Sequence, residues 1–127
     1  MKKLLIGIYV LYVLIITYLS LTPIEHKVVS ERLWDKASHF IAYLILFIIV
    51  KRVHTKSNYL TCAIICFVYS FFLECIQYFI PNRYFDVLDM LANALGTALG
   101  VVIYNLLIEK FLDKSKDERD GEGIGSR

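Results

Sequence analysis

Residues 71–100 read FFLECIQYFIPNRYFDVLDMLANALGTALG, and this stretch decides the fold. Two apolar runs flank Pro81-Asn82, a dipeptide that breaks a helix and opens a turn. Within them stand Glu74, Gln77, Arg83, Asp86, Asp89 and Asn93. An apolar hairpin has no folding need for three carboxylates, an arginine and two amides. In a bilayer each such group is costly and faces a partner or a wet cavity, which marks it as a functional candidate. The stretch predicts a re-entering helical pair that holds a polar site near one membrane surface.

Composition agrees. Of the 127 residues 57% are hydrophobic, and the mean hydropathy is +0.57. A soluble core of this size cannot hide that many apolar side chains, and the contiguous runs approach membrane-spanning length. Formal net charge is only +2, and the basic residues form no stripe with interleaved aromatics, which argues against nucleic acid as a partner. Cys62, Cys66 and Cys75 all fall within one apolar segment, so they form no disulfide framework and read as small apolar filler.

Working outward, Met1-Lys2-Lys3 precedes an apolar run from Leu4 to Leu21 that Thr22-Pro23 ends. It is longer than a signal-peptide core and lacks a small-residue cleavage site, which predicts an uncleaved first span. Residues 24–36 form a polar loop with Glu25, His26, Lys27, Glu31 and Arg32, and Trp34 sits where an interfacial anchor belongs. The run from Ala37 to Val50 makes about 21 Å of helix, too short to span, so the second helix reaches back to Leu33. Asp35, Lys36 and His39 then lie on its first turns, and Lys51-Arg52 ends it. A third span runs from Tyr59 to Ile80 and a fourth from Val87 to Ile108. The expected fold is an all-α membrane protein, a four-transmembrane-helix bundle over residues 1–112. The charged tail 113–127, without apolar periodicity, reads as disordered.

Lysine and arginine set the orientation. With both termini cytoplasmic, the inner side carries Lys2, Lys3, Lys51, Arg52, Lys56, Lys110, Lys114, Lys116, Arg119 and Arg127. The outer side carries only Lys27, Arg32, Lys36 and Arg83. The positive-inside rule therefore predicts cytoplasmic termini and an outward-facing polar cluster.

Helical spacing shows that the cluster converges. At roughly 100° per residue, Asp35, Lys36, His39 and Tyr43 share one face of the second helix. Glu74 and Gln77 share a face of the third, and Asp86, Asn93, Asp89, Gly96 and Gly100 a face of the fourth. Plainer roles compete with functional ones. Asp35 and Asp86 suit helix N-caps, Lys36 and Arg83 suit snorkelling anchors, and Tyr43 suits packing. Gly96-x-x-x-Gly100 suits close approach of another helix. Glu74, Gln77, His39, Asp89 and Asn93 form either an internal polar lock or a site for a polar ligand, a proton or a divalent cation. Oxygen ligands from Glu74, Asp86 and Asp89 suit magnesium or calcium, and His39 widens the choice, but no spacing is diagnostic of one metal.

Three pieces in order carry a resemblance: WDKASHFIAYLILF from Trp34, FFLECIQYF from Phe71 and NRYFDVLDMLANALGTALG from Asn82. Across residues 34–102 the chain resembles the VanZ-like family of small bacterial membrane proteins. The family pattern falls on Asp35, Lys36, His39, Tyr43, Glu74, Gln77, Arg83, Asp86, Asp89, Asn93 and Gly96, with no departure. The resemblance implies a cell-envelope protein of the bacterial cytoplasmic membrane, in a family whose founding member is linked to resistance against glycopeptides of the teicoplanin type. It implies a context and no reaction.

Three functions are consistent with these residues. In the first, the outward-facing site binds a lipid head group or lipid-linked envelope precursor. Asp35, Lys36, Tyr43, Gln77, Arg83 and Asn93 would then contact the ligand. In the second, the same site hydrolyses or transfers a lipid phosphate, with His39, Glu74, Asp86 and Asp89 as candidate catalytic groups. In the third, a non-catalytic assembly module docks on an envelope complex, or on a second copy, through Gly96 and Gly100.

Overall fold

The computed structural model describes residues 1–23 and 29–124, with side chains except at 29–32 and 122–124. Every regular element in it is helical: α1 Lys2–Leu21, α2 Val29–Val53, α3 Tyr59–Gln77 and α4 Val87–Ile103. A π-helical segment, Tyr104–Glu109, then leads into α5, Lys110–Ile124. Four helical stretches are long and apolar enough to cross a membrane: Lys2–Leu21, Leu33–Val53, Tyr59–Gln77 and Val87–Gly121. The protein is an all-α membrane protein built as a four-helix bundle.

Three boundaries differ from the sequence expectation. α2 begins at Val29, so helix replaces the second half of the expected polar loop; residues 24–28 of that loop lie outside the described residues. α3 ends at Gln77, three residues before Ile80. Phe79 and Ile80 donate N–H bonds of 3.0 Å to Ile76 and Gln77, and Asn82 at φ 63° turns the chain toward Asp86. Asn tolerates this left-handed conformation better than most residues. The third difference is the tail. Residues 110–124 are helical instead of disordered, and residues 125–127 lie outside the described residues. Propagating a helix is cheap once α4 has nucleated it, so α5 extends without a packed face of its own.

Among these pairs, α2 and α4 make the most intimate contact, and glycine is the reason. A Cβ on Gly96 would stand 2.0 Å from the Phe40 carbonyl oxygen, and one on Gly100 3.0 Å from that of Leu44. The α4 backbone therefore lies directly against α2. This occupies the Gly96/Gly100 face within the bundle, which removes the docking surface that the assembly-module reading requires. The apolar core includes Leu46, Phe47 and Val50 of α2 and Cys62 and Cys66 of α3. Cys62 and Cys66 are wholly buried, as apolar filler should be.

The end of the bundle away from the polar cluster has its own closure. Lys51, 8% exposed, donates to the carbonyls of Thr55 (3.2 Å) and Ser57 (2.9 Å) and lies over the Tyr59 and Tyr104 rings. The Tyr59 hydroxyl bonds the Glu109 carboxylate and so pins the π-helical segment to the start of α3.

Candidate functional site

The site forms where α1 ends, α2 begins, α3 ends and α4 begins. Asp86 starts it. Its side chain accepts the Leu88 N–H at 2.8 Å as the N-cap of α4, where a carboxylate suits the helix dipole. Its other oxygen takes the Lys36 ammonium at 2.5 Å. Burial alone would raise the Asp86 pKa. The Lys36 bond and the Leu88 amide outweigh it and hold the carboxyl below its ordinary value.

Lys36 also bonds Asp89, one turn further along α4 and 6% exposed. Its second oxygen faces His39 Nε2 at 3.6 Å. His39 Nδ1 lies 3.1 Å from Asn93 Oδ1, and Asn93 Nδ2 donates to Ser70 Oγ at 2.7 Å. A continuous polar chain therefore runs from Lys36 through Asp89, His39 and Asn93 to Ser70, crossing α2, α4 and α3. One ligand atom each from Asp35, His39 and Asp89 lies within 4.8 Å of the others, a grouping able to hold a metal ion.

Glu74 is 1% exposed and accepts the backbone N–H of Asp86 at 3.2 Å. This bond steadies the turn that presents Asp86. The early end of α3 explains this, because it brings the loop backbone within reach of the carboxylate.

Two expected ligand residues point elsewhere. Gln77 donates from Nε2 to the Ser20 carbonyl at 2.9 Å. Arg83 donates to the carbonyls of Leu19 and Thr22, both at 3.0 Å. Both satisfy carbonyls at the α1 C-terminus that have no partner within their own helix. Burial lowers the Arg83 pKa, against the pull of Asp35, Asp89 and Glu74, so these charges are close enough to be felt. Arg83 thus borders the cluster without joining its hydrogen-bonded chain.

A cavity of about 350 Å³ lies deeper, between α3 and α4, within the size range of ligand pockets. Tyr43, 2% exposed, forms its floor with Ser70, Asn93 and Thr97, while Phe67 and Ala98 stand at its sides. Ser70 and Thr97 escaped the sequence reading. The signal was present: Ser70 is one turn from Glu74, and Thr97 is one turn from Asn93, whose carbonyl it bonds at 2.9 Å.

Comparison with known proteins bears on this geometry. No solved structure matches the chain. An uncharacterized protein of the fission yeast Schizosaccharomyces pombe is 27% identical over 127 residues, which covers 94% of this chain and 74% of the relative. Similar chains are therefore not confined to bacteria. The VanZ/LLP1 family pattern matches residues 6–108, which takes in most of α1, the whole polar chain and the cavity. By that match, over most of its length, this chain belongs to the VanZ/LLP1 family.

Proposed function

We propose that this protein binds an amphiphile, with its polar head at the Lys36–Asp89–His39 cluster and its apolar part in the cavity between α3 and α4. One observation carries the reading: Asn93 belongs to both places, bonding His39 on one side and lining the cavity on the other. A polar cluster that adjoins a largely apolar cavity suits a lipid or a lipid-linked precursor. The two basic residues expected to grip phosphate are committed elsewhere, Lys36 to Asp86 and Asp89 and Arg83 to α1. The head group therefore meets carboxylates and an imidazole first. In a bacterial cytoplasmic membrane, with both termini inside, the cluster faces outward, where a lipid-linked envelope precursor is exposed. Teicoplanin-type resistance would follow from that ligand.

A catalytic reading has one specific observation in its favour. His39 is oriented by Asn93 and faces Asp89, an arrangement that suits a general base toward a phosphate ester.

The test uses purified protein reconstituted with membrane lipid extract, followed by mass spectrometry of what copurifies. Ala98→Trp, which fills the cavity from its lining without replacing a member of the polar chain, should cut bound lipid at least tenfold. Gly7→Leu, where nothing lies within 4 Å, should leave it unchanged. Equal lipid in all three samples refutes the binding reading, and release of inorganic phosphate in the same incubation would favour the catalytic one.

A further inference from the structure

We infer that Asp35, His39 and Asp89 form a binding site for one divalent transition cation of the zinc or manganese class. The tautomer of His39 is the starting point. Asn93 Nδ2 is spent on Ser70 Oγ, so the group facing His39 Nδ1 is the Asn93 carbonyl oxygen. An oxygen there requires the proton on Nδ1. In the neutral ring, Nε2 then presents a lone pair toward Asp89 Oδ2 at 3.6 Å.

Lone pairs this close are held by something positive: a second proton on His39, the Lys36 ammonium on Asp89, or a cation between them. The gap is too long for a direct hydrogen bond. It suits a metal: ligand bonds of about 2.0–2.2 Å at a tetrahedral angle put two donor atoms about 3.4 Å apart. Asp35 supplies the third donor from one turn earlier on α2, with all three donor atoms within 4.8 Å of one another. Asp35 and His39 are half-buried near the start of the span.

The surroundings match what metal-bound histidines need. The nitrogen that does not face the metal donates to a carbonyl, and that carbonyl is itself fixed, here by Ser70. Asp89 is oriented through its other oxygen by Lys36. An imidazole with two carboxylates favours zinc or manganese over magnesium and calcium, which prefer oxygen alone. Three protein ligands leave a fourth position for water or for an oxygen of a ligand. The site uses only groups of this chain, so it stands whether or not an amphiphile binds.

The experiment is equilibrium dialysis of the full-length protein in detergent, free of added lipid and with any histidine tag removed. Metal would be stripped with a chelator, then zinc, manganese or magnesium returned and bound metal measured by mass spectrometry. One equivalent of zinc or manganese should bind. Asp35→Asn, a substitution at a half-buried position that leaves shape unchanged, should weaken binding at least tenfold. Asn93→Ala, which removes the acceptor of His39 Nδ1 and also releases Ser70, should weaken it about 10–100-fold. Gly7→Leu, where nothing lies within 4 Å, should bind as wild type. Absence of stoichiometric metal in the wild type, or unchanged affinity in Asp35→Asn, overturns the site. As a check on folding, the wild-type unfolding temperature should rise with metal and saturate at one equivalent. Since no lipid is present, failure here leaves the amphiphile reading to its own test.

Discussion

Replacing Gly96 by alanine is the sharpest test of how the bundle is held. The new methyl would lie 2.0 Å from the Phe40 carbonyl oxygen, where ordinary contact starts near 3.4 Å. The obstacle is backbone, so no rotamer change relieves it, and α2 and α4 must part by about 1.4 Å at that level. Overpacking of this kind costs about 1–3 kcal/mol, and the rigidity of two packed helices puts this case at the upper end. The damage should not be confined to stability. Phe40 follows His39 directly, so the movement carries His39 away from Asn93 and Asp89. Gly100→Ala is the graded comparison, with contacts of 3.0 Å to Leu44 and Phe47, and should cost less. Gly7→Ala meets nothing within 4 Å and should be neutral or slightly stabilising, since alanine is the better helix former. The assay is unfolding of purified protein in detergent, read by circular dichroism across the three variants. Equal stability of Gly96→Ala and Gly7→Ala would refute backbone contact between α2 and α4.

Three further outcomes are expected. Because its folded pKa is depressed, Asp86 contributes stability that is fully present above the ordinary carboxylate pKa. That stability is lost as pH falls through the lower folded value, and acid titration of Asp86→Asn should show a flatter loss than wild type. Glu74→Gln keeps an acceptor for the Asp86 amide and should fold nearly normally. Glu74→Leu leaves that amide without a partner and should cost about 1–3 kcal/mol in the same unfolding assay. Reporter fusions after Val50 and after Ile108 should read cytoplasmic, and one after Asn82 external; an external reporter at Ile108 would reverse the orientation.

Much of this was readable from residue types and spacing. Run lengths gave the four spans, and the helical step of roughly 100° put Asp35 and His39 on one face of α2 and Asp89 and Asn93 on one face of α4. What could not be read were partners that no side chain announces. Gln77 and Arg83 bond backbone carbonyls at the end of α1, and Glu74 bonds a backbone amide in a loop whose path depended on where α3 stopped. The glycine pair was legible as a packing surface, but its occupant, the α2 backbone, was not. Ser70 was hidden because one hydroxyl in an apolar helix looks unremarkable until Asn93 is seen against it. The helical tail was missed because composition reports the absence of a core, whereas continuation from α4 needs none.

The pairing of Lys36 with Asp86 and Asp89 also bears on how the chain is made. The partners are 50 and 53 positions apart. At synthesis rates of about 5–20 residues per second, α2 emerges some 3–10 seconds before the carboxylates that neutralise its lysine. During that interval its mean hydropathy of 1.6, against 2.4 for α1, must carry Lys36, Asp35 and His39 alone. α2 is therefore the span whose insertion is least secure when it leaves the ribosome. The α3–α4 hairpin then brings the carboxylates that pair its lysine.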